Sequence, residues 1–255
     1  MSSSDGRMFF SAIIGFFAGL WFFYKGFLKL RRKRLIENTP TSKVRSIAMG
    51  LVEVYGKVIL YNEKSCISPF SKKKCIYYKY TIEEYRSSGK SSRWVLVEKE
   101  DNAAPFYLQD ETGSVFVDAR DAEVDIPKDF EWKSGMGQDP PNNVKEFLDS
   151  KGIKHEGFFG FNKTMRFREY IIQPDDMLYV MGTAKDNPYI KDGSAQTNEA
   201  DIMIGKGENN IYYIADKPEK KVLQSMNSSC QLYVYGGALL SIGCMIIVLA
   251  YLKML

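Results

Sequence analysis

Two stretches of the chain stay apolar for the length that a bilayer core demands, and between them the hydrophobic pattern changes to period two. From Met8 to Tyr24 the chain reads MFFSAIIGFFAGLWFFY; extended to Leu28, it predicts a helix of about 21 residues, roughly 30 Å at 1.5 Å per residue. From Cys230 to Leu252 it reads CQLYVYGGALLSIGCMIIVLAYL, about 23 residues without a charge and long enough to span with some tilt, and Lys253 closes it. Neither run has a polar face to turn to water, which argues against a core helix of a soluble protein. A cleaved signal peptide is the other reading of the first run. Its aromatic-rich length, the missing A-x-A site and the basic block behind it favour a membrane anchor.

Between the spans the pattern predicts strands. In Cys75 to Arg86, Ile76, Tyr78, Tyr80 and Ile82 alternate with Tyr77, Lys79, Thr81 and Glu83, as in a strand with one buried face. Ala48 to Leu60 is a long β-candidate with Gly50 and Gly56 as bulge or close-approach positions, and Trp94 to Lys99 is a near-continuous apolar run. Pro105 to Gln109 and Ser114 to Asp118 form a predicted hairpin around the turn Asp110-Glu111-Thr112-Gly113. Two more hairpins are expected: Arg168 to Ile172 with Met177 to Gly182 across Gln173-Pro174-Asp175-Asp176, and Ile202 to Gly205 with Ile211 to Ile214 across Lys206 to Asn210. Only two helices are predicted here. Asn143 caps the first, Val144 to Lys151, which Gly152 ends; Asp216 caps the second, with Pro218 in its first turn and Val222, Leu223 and Met226 leading toward the second span. Asn227, Ser228 and Ser229 leave it open whether that helix runs on into the membrane.

The expected class is therefore a membrane-anchored α+β fold, mainly β, with two transmembrane helices flanking a soluble β-rich domain. The layout is an N-terminal tail at 1–7, transmembrane helix 8–28, a basic juxtamembrane linker at 29–45, the β-rich domain at 46–216, a juxtamembrane helix at 217–229, transmembrane helix 230–252 and a tail at 253–255. Gly-rich Ser134 to Gly137 and Pro140-Pro141 place an internal boundary at 134–142. The domain is either one barrel-like body with a helical insertion or two small β subdomains packed together.

Charge adds orientation. Lys25, Lys29, Arg31, Arg32, Lys33 and Arg34 follow the first span, with Arg7 alone before it; Lys217, Lys220 and Lys221 precede the second span, with Lys253 after it. The positive-inside rule then places the central domain in the cytoplasm and both termini outside. Arg31, Arg32, Lys33 and Arg34 could also contact anionic lipid headgroups, at about 1 kcal/mol each, although a plain topology signal explains the same run. The net charge of +4 and 26% charged residues would suit an ordinary soluble domain and change nothing further.

Candidate chemistry is sparse, and no catalytic, cofactor or metal residue is assigned. Cys66, Cys75, Cys230 and Cys244 contain no C-x-x-C pair, and the single histidine, His155, lies beside Gly157 where a surface loop is expected. A Cys66 to Cys75 disulfide fits a short loop, but a cytoplasmic domain keeps both reduced. Asp110, Glu111, Asp118, Asp175 and Asp176 are explained by turn chemistry, and Gly205-Lys206-Gly207 lacks the P-loop frame. Tyr77, Tyr78, Tyr80 and Tyr85 beside Lys72, Lys73, Lys74 and Lys79 have the composition of a nucleic-acid surface, yet strand packing and a solvated loop account for them, so nucleic acid is disfavoured as a partner. The lipid bilayer and a protein of unspecified identity are the expected partners.

Four motifs occur in a telling order: ENTPTSKVRSIAMGLVEVYGKV, the strand from Cys75 to Tyr85, PFYLQDETGSVFVDARDAEV and REYIIQPDDMLYVMGTA. Together they resemble the GIDE, or Beside-a-Membrane, domain of the Mulan family of membrane-anchored E3 ubiquitin ligases, over about Leu35 to Asp216 plus both spans. Pro40, Thr41, Ser42, Gly50, Glu53, Gly56, Tyr77, Tyr78, Tyr80, Asp110, Gly113 and Val117 carry the resemblance, in structural roles. The family places a zinc-binding RING finger after its second span. Here the sequence reaches Leu255 just past that span, and its cysteines and histidine are too few for a RING, so ligase activity is not expected of these residues. In mitochondrial members of that family the β domain faces the intermembrane space, whereas the charge pattern here indicates the cytoplasm. The expectation is a non-catalytic scaffold or interaction module, with a subunit that relies on a separate RING partner as the alternative.

Overall fold

The computed structural model describes residues 3–89, 91–157, 160–188, 201–208, 211–217 and 219–252, and the chain divides at Pro40 and Glu219 into two compact units. One unit pairs the N-terminal helix α1 (Ser3–Asn38) with the C-terminal helix α3 (Glu219–Tyr251); the other contains the short helix α2 (Asn142–Ser150) and all the strands among the described residues.

The helix pair is antiparallel. Phe9 stacks on Tyr251 with ring centroids 4.7 Å apart, the Lys29 ammonium lies 4.2 Å from the Tyr233 ring centre, and Lys33 Nζ donates to Asn227 Oδ1 at 3.1 Å. Glycines let the backbones touch: a Cβ on Gly26 would lie 2.8 Å from Val234 N, and one on Gly237 would lie 2.6 Å from Phe23 N. Phe10, Ile14, Phe17, Leu232 and Leu239 point away from the partner helix and are exposed. The segments Gly6–Asn38 and Cys230–Tyr251 are both long and apolar enough to cross a membrane. Where the composition predicts a linker from residue 29, α1 instead continues to Asn38, because Lys, Arg and Leu are strong helix formers and Lys33 pairs with Glu37 one turn on at 3.1 Å. Asn227, Ser228 and Ser229 do not interrupt α3. It starts at Glu219, so Asp216 lies ahead of the cap position assigned to it; Pro218 and Lys253 are outside the described residues, as are the side chains of Val222 and Met226.

The strands, in chain order, are β1 (Gly50–Leu60), β2 (Cys66–Ile67), β3 (Lys74–Cys75), β4 (Tyr77–Ser88), β5 (Ser91–Ala103), β6 (Phe106–Gln109), β7 (Ser114–Val117), β8 (Glu123–Asp125), β9 (Phe130–Ser134), β10 (Met165–Ile172), β11 (Met177–Asp186), β12 (Ile202–Gly205) and β13 (Tyr213–Ala215). Five of them close a barrel: β1 pairs with β6 and β11, β6 with β7, β7 in parallel with β12, and β12 with β11. From β11 the sheet continues through β13 to β8. Alternate residues fill the interior, among them Val52, Val54 and Val58 of β1, Phe106 and Leu108 of β6, and Leu178 and Val180 of β11. A separate antiparallel sheet has the order β5-β4-β10-β9. One of its faces packs Tyr80, Ile82, Met165 and Phe167 under α2 (Val144, Leu148) and the loop residue Phe70. The fold is thus mainly β, with two apolar helices at its sequence ends.

Several local expectations change here. Arg168 to Ile172 and Met177 to Gly182 are not a hairpin, since β10 belongs to the second sheet and β11 to the barrel; the turn between them, with Asp175 at φ +74°, carries the chain from one to the other. β12 and β13 do not pair either, and both lie along β11. The 134–142 segment divides nothing, because β9 before it and α2 and β10 after it build the same core. The apolar run at Trp94 lies on the edge strand β5, where Leu96 and Val97 are exposed and a bulge interrupts the register between Ile82 and Glu83. Asn143 does not cap α2; Pro141 holds that position, and the Asn143 amide donates instead to the Phe70 carbonyl. Gly152, at φ +66°, ends α2 as predicted.

Candidate functional site

After Pro40 the chain runs beside the barrel as a short arm. Thr41 aligns in parallel with Glu53 of β1, and the Ser42 N–H donates to the Glu53 carbonyl at 2.7 Å. The Glu53 side chain is fully buried, and its two oxygens are shared between elements: Thr41 Oγ1 donates to Oε1 and Tyr179 Oη of β11 to Oε2, each at 2.7 Å. A buried carboxylate requires such donors, and here they join the arm to the barrel wall.

The next turn of the arm, Val44–Ser46, meets the β6–β7 hairpin. Asp110 organises that contact. Its Oδ2 accepts the Val44 N–H at 3.0 Å, while Oδ1 accepts the Thr112 N–H at 2.7 Å, the Thr112 hydroxyl at 2.6 Å and the Gly113 N–H at 3.1 Å. Burial pushes this carboxyl up, but the hydrogen bonds together outweigh burial and hold it below the usual aspartate value. Thr112 Oγ1 also accepts the Arg45 N–H at 3.1 Å, and Lys43 pairs with Glu111 at the exposed rim. Gly56 is required where β1 turns from β11 to β6, since a Cβ there would lie 2.5 Å from Gln109 O. Between arm and hairpin lies a groove of about 540 Å³ lined by Thr41, Lys43, Tyr55, Lys57, Gln109 and Glu111 among others.

Thr41, Ser42, Glu53, Gly56, Asp110 and Gly113, predicted as signature positions, therefore meet along one side of the barrel. The others lie elsewhere. Pro40 is exposed at the end of the helical unit, and Gly50 opens β1 at φ +113° opposite Ala184. Tyr77 and Val117 belong to the barrel core; Tyr80 is buried in the second core, with Tyr78 packed against it. The Tyr80 hydroxyl lies 2.9 Å from Glu98 Oε1 and 2.8 Å from Glu100 Oε2, so that its one proton is shared between the two carboxylates. On α1, Arg31 and Arg34 are exposed, Lys33 is half-buried and engaged by Glu37 and Asn227, and the side chain of Arg32 is outside the described residues.

The other candidate carboxylates, Asp118, Asp175 and Asp176, are dispersed and each is bonded. Asp118 is bound by Arg120 Nε at 2.8 Å and held below its ordinary value by that hydrogen bond; Asp176 Oδ2 accepts the Gln173 N–H at 2.7 Å; Asp175 pairs with Lys57 at 2.6 Å. On the second sheet, hydrogen bonds from Lys128 and then Arg168 pull the Glu131 carboxyl down to about 2. Among the described residues, no group of three or more His, Cys, Asp or Glu is arranged to hold a metal ion. His155 is buried, not on the surface. The Glu156 to Asn162 bridge folds its loop back, and Nδ1 lies 3.9 Å from the Asp149 carboxylate and Nε2 3.8 Å from that of Glu156. Two structural residues escape a reading by motif. One is Tyr179, whose role depends on a distant strand; the other is Glu169, fully buried and accepting the Phe70 and Ser71 N–H groups at 2.8 and 3.0 Å. A signal existed for Glu169, since it shares the inward-facing register of Met165, Phe167 and Ile171.

Among protein families, the model described as GIDE, E3 ubiquitin ligase, matches residues 77–249, more than half of the chain. The matched stretch begins with β4 and ends within α3, so the arm and β1 precede it. No curated protein and no solved structure gives a significant match.

Proposed function

This chain belongs to the GIDE family of E3 ubiquitin ligases, and from that premise we propose that it is a two-pass membrane protein whose β domain acts as a non-catalytic scaffold at the membrane surface. The observation that carries this reading is the way the converging signature residues satisfy one another. Glu53 and Asp110 spend their oxygens on Thr41, Tyr179, Val44, Thr112 and Gly113, so the arm and barrel wall form a fixed, hydrogen-bonded surface for recognition. The antiparallel pairing of two apolar helices supports two crossings with both termini on one side. The excess of Lys and Arg on the domain side of both helices supports a cytoplasmic domain. In that orientation Arg31, Arg32, Lys33 and Arg34 stand at the headgroup level of the bilayer, and the protein partner meets the β domain.

The family match favours one second reading, a subunit of a ubiquitin-ligase assembly whose RING resides on another chain. A ubiquitin-discharge assay separates these readings when run on the purified chain in mild detergent with zinc measured in parallel. The scaffold reading expects neither discharge nor zinc; stoichiometric zinc with discharge overturns it, and discharge only after a RING protein is added establishes the subunit reading. Orientation is tested on Cys66, the half-buried thiol of the domain. It should resist a membrane-impermeant maleimide in intact cells and react after permeabilisation.

A further inference from the structure

Cys66 and Cys75 stand directly opposite each other in the antiparallel β2–β3 ladder, and both are free thiols. Opposed residues of such a pair hold their Cα atoms about 4.5–5.5 Å apart, inside the roughly 4.4–6.8 Å range that disulfides span. Their side chains share one face. Cys75 Sγ approaches the Cys66 carbonyl oxygen at 3.6 Å, on the side of its partner strand. Cys230 and Cys244 have no such option, since fourteen residues of one helix hold them about 21 Å apart.

The ladder is the neck of a loop with a defined task. At the loop's tip Phe70 is fully buried in the second core, with ring centroids 5.3 Å from Tyr80 and Phe147, 5.9 Å from Trp132 and 6.1 Å from Phe167. Polar bonds hold the loop around that ring: Glu169 accepts the Phe70 and Ser71 N–H groups, Asn143 donates to the Phe70 carbonyl, and the Ser68 N–H donates to Lys73 O at 2.9 Å. The neck, by contrast, is a ladder of only two residue pairs.

We propose that Cys66 and Cys75 are an oxidation site, closing reversibly to an intramolecular disulfide that staples the Phe70 loop into the second core. With a hydroperoxide as oxidant, the half-buried Cys66 reacts first. Its thiolate sulfur attacks one peroxide oxygen, the O–O bond breaks, and the sulfenic acid forms as the alcohol, or water, leaves with the proton. Cys75 sulfur then attacks Cys66 sulfur; the S–S bond forms, the S–O bond breaks, and the hydroxide leaves as water with the Cys75 proton. Two thiols are oxidised by two electrons, and one peroxide is reduced. A low-molecular-weight dithiol reverses the step by exchange. Burial pushes both thiols up, Cys75 to about 12 and Cys66 in the same direction, so closure is slow at neutral pH and accelerates as pH rises.

The test uses the full chain in mild detergent, treated with hydrogen peroxide, alkylated and digested. The expected product is a Cys66–Cys75 linked peptide that dithiothreitol removes. The thermal midpoint of the oxidised chain should rise by roughly 5–10 °C, as for a loop of this length, and the rise should vanish in Cys66→Ser. Cys66 is the half-buried partner, so this variant removes the bond without opening the core; Cys75→Ala provides the second control. Recovery of both residues as free thiols, of sulfinic Cys66 beside a free Cys75, or of a disulfide between chains would each overturn the proposal.

Discussion

Glu53 joins three parts of the chain that the sequence keeps apart: the arm at Thr41, strand β1, and Tyr179 more than a hundred residues later. Removing its carboxylate strips the buried Tyr179 hydroxyl, and with it the Thr41 hydroxyl of the exposed arm, of their acceptor, and an unsatisfied buried polar group costs about 1–3 kcal/mol. Glu53→Ala should therefore lower stability by roughly 2–4 kcal/mol in urea unfolding of the detergent-solubilised chain, and Thr41→Val in the same background should add little further. Full additivity of the two substitutions would show that the bond is unimportant. At this scale the sequence was informative about identity and poor about partners. Thr41, Glu53, Gly56, Asp110 and Gly113 stood out as a motif, and Asp110 was legible as a turn residue because its bonds to Thr112 and Gly113 are local. Tyr179 was not, because period two assigns a face and never a neighbour.

Among the elements, the two long helices were the easiest to read, since an uncharged run of that length has few alternatives. Their mutual packing is not legible in an apolar run, yet it makes the sharpest prediction. Gly237 lies against the backbone of Phe23, where a Cβ would approach N to 2.6 Å. Gly237→Leu should force α1 and α3 apart, seen as a lengthened and broadened distance between spin labels on the exposed positions Phe10 and Leu252, while Gly236→Leu, where added atoms meet open space, should leave the distance unchanged. An equal effect of both would mean that the helices do not pair through this face. The strands show the opposite balance. The β6–β7 hairpin was legible because its turn and its pairing are the same event. β10 and β11 look like hairpin partners in sequence and are not, because Gln173-Pro174-Asp175-Asp176 specifies a reversal of direction and contains nothing about which sheet receives the next strand.

Across the whole β domain the chain passes back and forth between two cores. β1 enters the barrel, β4 and β5 the second sheet, β6 to β8 the barrel, β9, α2 and β10 the second sheet, and β11 to β13 the barrel again. This is why an internal boundary read from Gly and Pro at 134–142 fails: those residues set a local turn of the chain, but each body needs segments from both sides of it. Each core is thus assembled from segments that a passage through the other separates. Amide hydrogen exchange should give barrel strands β1 and β11 and second-sheet strands β4 and β10 a common opening free energy within about 1 kcal/mol. A second sheet that exchanges well before the barrel would show two independent domains.

The long reach from β1 to β11 also has a consequence during synthesis. β1 finds its main partner only about 120 residues downstream, and at roughly 5–20 residues per second the ribosome needs on the order of 6–24 seconds to deliver it. Through that interval the edge of β1 that β11 will cover stays open on a strand rich in valine, although β6 can already pair with Lys57–Leu60, and all this follows a first hydrophobic segment. Nascent chains of this protein should consequently depend on a holding chaperone, and stalling translation before residue 177 should leave them bound to it.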